Sequence, residues 1–123
     1  MSARNTMDGE SGSIIIAPQV ICTVARLAAE AVPGVAGFSK QRPVTMERLL
    51  RRTAVGEGVA INVEDNSATV DLYVIYERTA NMLETSRRVQ AEVARAIQET
   101  VGMAIREINV HIEDVAVDVS GDR

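Results

Sequence analysis

Apolar and polar positions alternate most strictly between residues 59 and 76. Val59, Ile61 and Val63 interleave with Ala60, Asn62 and Glu64, and beyond Asp65, Asn66 and Ser67 the residues Val70, Leu72, Val74 and Tyr76 take up the alternation. A period of two is that of a strand with one face on a core, so this segment predicts a β-hairpin. A two-residue turn at Asp65-Asn66 sets position 61 against 70 and 59 against 72, with both apolar rows on one face. A four-residue loop would keep the same face. The opposite face carries Ala60, Tyr73 and Ile75 among polar residues, more apolar than a solvated sheet face requires.

Helical spacing flanks the hairpin on both sides. Ile14 to Ile16 reads as a short strand, and Pro18 as the first residue of a helix, where its missing N–H costs nothing. Ile21, Val24, Ala25, Ala28, Ala31 and Val32 form one stripe, which predicts a helix from 18 to 32 stopped by Pro33-Gly34. Val35 to Phe38 is then a short extended piece, followed by a polar connection from 39 to 58. Downstream, Asn81 and Glu84 make a capping signature and Gly102 supplies a left-handed stop. The predicted second helix, 82 to 101, is about 30 Å long and turns Met82, Ser86, Val89, Val93, Ala96, Ile97 and Val101 inward. Arg88, Glu92, Arg95 and Glu99 are spaced for surface ion pairs. A last strand alternates Ile108, Val110 and Ile112, then changes parity to Val115, Val117 and Val119, which a bulge or turn at Glu113-Asp114 explains.

The order strand, helix, short strand, hairpin, helix, strand predicts an α/β (α+β) fold. It is a two-layer sandwich with two helices on one face of a small mixed sheet. Residues 14–119 make up this single domain. Residues 1–13, rich in Ser, Gly, Asp and Asn, are expected to be a disordered tail, and 120–123 a second short tail. No run is long and apolar enough for a secretory signal or a membrane span, so a cytoplasmic location is expected, with peripheral contact at the inner face of the membrane.

Composition narrows the chemistry. The 123 residues hold 13 basic and 17 acidic side chains, a net charge of -4, which gives no overall field for nucleic acid. One cysteine excludes an internal disulfide, and one histidine nearly excludes His-based metal sites. Phe38, Tyr73 and Tyr76 are the only aromatic residues, too few for a base-stacking platform. His111 shares a strand face with Asn109 and Glu113 but has no second histidine to complete a metal site. Cys22 lies one turn from Arg26, beside the buried stripe, and reads as a partly buried thiol. Gly34 to Gly37 has the outline of a GXXG phosphate clamp, yet it lacks an internal basic residue, so turn and packing roles are expected. No Ser, His and Asp are arranged as nucleophile, base and orienter. No catalytic residue, metal or cofactor is assigned, and the protein is expected not to be an enzyme.

Taken together, IIIAPQVI at 14–21, VPGVAGF at 32–38, INVEDNSATVDLYVIY at 61–76, VQAEVARAIQETVG at 89–102 and INVHI at 108–112 resemble the alkaline shock protein family of the bacterial cell-envelope stress response. The resemblance spans about Ile14 to Val117. It implies a non-enzymatic protein that self-associates or docks on a membrane-anchored partner, while other members look like regulators linked to fatty-acid synthesis. The chain departs from the family pattern at RTANM, 78–82, and in an unusually Arg-rich connection.

That connection stands apart electrically. Lys40, Arg42, Arg48, Arg51 and Arg52 face one acid, Glu47, for a net +4, while the rest of the chain carries eight bases and sixteen acids, a net -8. Such a segment is either a solvated connection or a docking element for an anionic partner, with Leu49 and Leu50 adding shallow insertion. Two candidate sites follow: the basic segment, and a self-association face at Ala60, Tyr73 and Ile75. The expected function is that of an envelope stress response protein acting through self-association, as a homo-oligomer, and through docking on an envelope partner. The alternatives are a regulator that binds an enzyme of lipid metabolism, and nucleic-acid binding through residues 40–52.

Overall fold

The computed structural model describes residues 5–9, 11–40 and 54–117. Its elements in chain order are β1 (Asn5–Gly9), β2 (Gly12–Ile16), α1 (Pro18–Glu30), β3 (Val35–Phe38), β4 (Ala54–Gly56), β5 (Val59–Glu64), β6 (Ser67–Glu77), α2 (Met82–Ala96) and β7 (Ala104–Ala116). The two helices are those expected from the apolar periodicities, and so are four strands of the mixed five-stranded sheet; the fifth, β4, falls within the connection expected from 39 to 58. A further difference lies at the start. Residues 5–9, expected within a disordered tail, pair antiparallel with β2 as a two-stranded ribbon apart from the main sheet.

Strand β6 organises the main sheet. Along one edge it pairs in parallel with β7, from Ser67–Ala104 to Glu77–Ala116. The other edge is divided: β5 takes Ser67 to Leu72, and β3 takes Val74 to Tyr76, both antiparallel. β4 extends the sheet beyond β5. The division falls at Tyr73, whose N–H donates to the Gly58 carbonyl and whose carbonyl accepts from the Ser39 N–H, both at 2.8 Å. The hairpin has the anticipated register, Ile61 with Val70 and Val59 with Leu72. Its turn residues Asp65 and Asn66 both have positive φ, 51° and 63°, as a two-residue hairpin turn matched to strand twist demands. The parity change in β7 is a bulge: Ile112 pairs with Val74 and Asp114 with Ile75, leaving Glu113 as the extra residue.

Each helix lays one stripe on the sheet, and each stripe is rotated slightly from its expected position. In α1 the buried residues are Ile21, Cys22, Ala25 and Ala29, with Val32 just beyond; Ala31 is exposed. The small side chains of Cys22, Ala25 and Ala29 let the helix approach the sheet closely. In α2 the stripe is Thr85, Val89 and Val93, continued by Ile97 and Val101, while Met82 is exposed. Asn81 caps α2 by accepting from the Glu84 N–H at 2.9 Å. The final turn, 97–101, widens, and the Gly102 N–H donates to the Ile97 carbonyl five residues back, at 3.0 Å, with Gly102 at φ 81°. The stripes close over Val59, Ile61, Val70, Leu72, Val74 and Tyr76 in one core, where burial of each large apolar side chain contributes about 1.5–3 kcal/mol.

Tyr76 gives that core a pH dependence. Its ring is buried, and its hydroxyl shares a 2.8 Å hydrogen bond with Ser86 Oγ. Burial raises its pKa above the ordinary tyrosine value, and the bond to Ser86 offsets this in part. The unfolded chain therefore ionises first. The contribution is full below about pH 10 and is lost as pH climbs through the folded value. Between about pH 9 and about pH 11, the melting midpoint of the wild type should fall more steeply than that of Tyr76→Phe. Equal slopes would remove Tyr76 from the account.

Candidate functional site

The face of the sheet turned away from the core joins three strands. β6 contributes Asp71, Tyr73 and Ile75, β5 contributes Ala60 opposite Asp71, and the parallel register of β7 sets Asn109 beside Asp71 and His111 beside Tyr73. The result is a compact polar and aromatic cluster. Asp71 Oδ1 accepts from Asn109 Nδ2 at 3.2 Å and lies 3.0 Å from His111 Nε2. The His111 ring stacks on Tyr73, with centroids 4.5 Å apart and planes 10° from parallel. Asp71 thereby ties two neighbouring strands together through their side chains. The stack covers the ring next to it.

This burial changes the reading of the expected self-association face. Tyr73 is 0% exposed and Ala60 2% exposed within one chain, and Ile75 is half-buried. A face built on Ala60, Tyr73 and Ile75 would have only Ile75 to offer. A single copy already buries Ala60 and Tyr73. Beside Ile75 a cavity of about 380 Å³ is lined by Phe38, Ser39, Lys40, Glu113 and Asp114. Of the basic candidates, Lys40 is exposed at this rim and lies 3.7 Å from Glu57. Arg42, Arg48, Arg51 and Arg52 lie outside the described residues. Of the Gly34–Gly37 tetrad, Gly34 is the turn residue before β3, at φ 102°, and the other three residues lie in β3, so the segment forms turn and sheet rather than a free clamp loop.

The helical layer presents a second surface, which the apolar pattern alone does not separate from the core stripe. On α1, Val20 (47% exposed) and Leu27 (54%) point to solvent, with Val24 half-buried between them and Ala31 exposed after them. Ile14 and Ile15, in the strand that leads into α1, are also exposed. The signal is in the sequence. Val24 and Ala31 fit helical spacing with either the buried or the exposed stripe, so periodicity merges the two. On α2 Met82 and Leu83 of the first turn are exposed as well, and the outward row beyond them is charged and paired: Arg88 with Glu84 at 4.0 Å, and Arg95 with both Glu92 and Glu99. Asp71 is not singled out by the sequence either, because its partners are set by the β6–β7 register, which no local pattern encodes.

No helix among the described residues is long and apolar enough to cross a membrane. Compared with known proteins, the chain matches over residues 6–117 the model of the alkaline shock protein family, described as having a cell envelope-related function. It is 27% identical over 108 residues to the uncharacterised protein YloU of Bacillus subtilis, covering 86% of this chain and 90% of that protein. It is likewise 27% identical over 111 residues to the uncharacterised protein YqhY of the same organism, covering 90% and 82%. A third relative, the uncharacterised protein Spy1535 of Streptococcus pyogenes serotype M6, is 26% identical over 108 residues, covering 87% and 81%.

Proposed function

Because the chain belongs to the alkaline shock protein family, whose function is cell envelope-related, we propose that it is a non-catalytic stress response protein that self-associates and docks on a membrane-anchored partner from the cytoplasmic side. The observation that carries the reading is the apolar surface that one copy leaves uncovered at Ile14, Ile15, Val20 and Leu27. Exposed large apolar side chains favour association, because covering them releases water. The charge contrast between residues 40–52 and the rest of the chain supports an anionic element in the docking partner. A structural part for the one histidine is supported by the bonds of Asp71, which joins His111 and Asn109 across the strands.

Sedimentation of the purified protein with native membranes tests docking. The protein should pellet with untreated membranes, lose most of that binding after the membranes are treated with protease, and bind less to protein-free anionic vesicles. Arg48, Arg51 and Arg52 changed together to Glu should weaken pelleting. Binding of the wild type should decline from low to physiological salt, where screening shortens to about 8 Å. Failure to pellet with native membranes would overturn docking, and equal binding to bare vesicles would replace the protein partner by lipid.

A further inference from the structure

We infer that two copies of this chain join through their α1 helices, packed antiparallel with Val20, Leu27 and Ala31, all exposed, and the half-buried Val24 between them as the seam. The inference rests on the self-association part of the proposed function and gives that association a surface and a symmetry. The steps along the stripe are four, three and four residues, the spacing by which a helix presents one continuous seam to another helix. This stripe lies roughly opposite the one formed by Ile21, Cys22, Ala25 and Ala29, which the core already covers.

The spacing reads the same in both directions, which is what an isologous two-fold contact requires. In the antiparallel arrangement Val24 faces Leu27 of the second copy, and Val20 faces the smaller Ala31 at either end. A parallel arrangement would set Ala31 against Ala31, leaving a gap, and bring both Glu30 carboxylates to the same end. The antiparallel one places them at opposite ends. A two-fold contact closes on itself and yields a dimer rather than a filament.

Charge selects the occupant. The only charged residues of α1, Arg26 and Glu30, bind each other at 3.0 Å, and Arg88 and Glu92 of α2, which line a groove with Ala31, are of opposite sign, so the seam carries no net charge against its copy. Self-packing through α2 would be opposed: reversing its outward row sets Glu84 against Glu99 and Arg88 against Arg95. An anionic lipid surface is also a poorer fit, since a helix lying on lipid is flanked by several available Lys or Arg residues, and the Arg of α1 is held by Glu30. A helix about 20 Å long and about 10 Å wide is too small alone for the roughly 600 Å² per partner that a stable interface buries. The joint is therefore a small and reversible one, in keeping with the low end of interface sizes.

Sedimentation equilibrium of the full chain between about 1 and about 100 µM tests the joint. The wild type should pass from monomer to dimer in this range. Leu27→Lys should raise the concentration of half-dimerisation at least tenfold, and Leu83→Lys, at an exposed position on α2, should leave it unchanged. Both substitutions fall on solvent-facing positions, so circular dichroism should show each variant folded. Direction is read by oxidising an equimolar mixture of Val24→Cys and Leu27→Cys chains, each also carrying Cys22→Ala. The mixed disulfide should exceed the two self-disulfides combined. Dominant self-disulfides would overturn the antiparallel seam. A Leu27→Lys dimer as tight as the wild type would overturn the α1 joint while leaving self-association standing, and a wild type that stays monomeric throughout would overturn both.

Discussion

Tyr73→Ala should lower the stability of a single copy by about 3–5 kcal/mol, the usual cost of emptying a fully buried aromatic site. The ring is inaccessible to solvent and stacked on His111, so its removal leaves a cavity beside the Asp71–His111 contact. The backbone bonds of Tyr73 to Gly58 and Ser39 are not deleted by the substitution, but the side chain that packs their junction is. Urea unfolding at two protein concentrations checks the expectation. A loss of this size that is independent of concentration marks a residue of the monomer core. A Tyr73→Ala chain whose dilute monomer unfolds at the wild-type midpoint would return the ring to the role of an association contact.

Gly58→Ala should be nearly as damaging, at about 3 kcal/mol, for two separate reasons. Gly58 has φ 74°, a conformation that costs an L-residue roughly 1–2 kcal/mol. A Cβ there would also collide with Phe38 Cβ and lie 2.8 Å from Phe38 Cγ, closer than atoms pack, and overpacking adds about 1–3 kcal/mol. Phe38 is the last residue of β3, so Gly58 lets that strand end approach the start of β5 where both meet β6. Thermal unfolding of Gly58→Ala, Phe38→Ala and the double variant separates the two costs. The double variant should be less destabilised than the sum of the singles, since truncating Phe38 removes the Cγ and Cδ2 contacts, while the backbone cost of a side chain at position 58 persists. Full additivity would place the damage in the backbone and in the approach of the two Cβ atoms, which Phe38→Ala leaves in place.

Much of the fold is legible in the sequence because it is governed by local periodicity. The hairpin register follows from Asp65-Asn66 and the rows on either side of it, and the bulge at Glu113 from the change of parity between Ile112 and Val115. The end of α2 follows from Gly102. What cannot be read depends on partners distant in the chain. That β3 and β5 share one edge of β6 is settled by Gly58 meeting Phe38, twenty residues earlier. Alternation assigns Ala60 and Tyr73 to an outer face because it tells which side of a strand a residue lies on, not whether that side is covered. On α1 the difficulty is the reverse: alanines and valines are compatible with either side of a helix, so periodicity does not separate the stripe that packs on the sheet from the stripe that faces water.

The division of the β6 edge at Tyr73 bears on how this protein can diversify. The connection from Ser39 to Gly58 leaves and re-enters the sheet on the N–H and C=O of one residue, so its two ends are pinned to a single point. A loop closed in this way loses an entropy that grows only with the logarithm of its length, about 0.6 kcal/mol for a doubling. Changes of length between Lys40 and Ala54 therefore add little to the cost of closure, whereas β4, paired with β5, and Gly58, packed against Phe38, cannot change without consequence for the sheet. The basic side chains from Arg42 to Arg52 lie in sequence between Lys40 and β4, where a lineage can revise its choice of partner without touching the residues that hold the sheet.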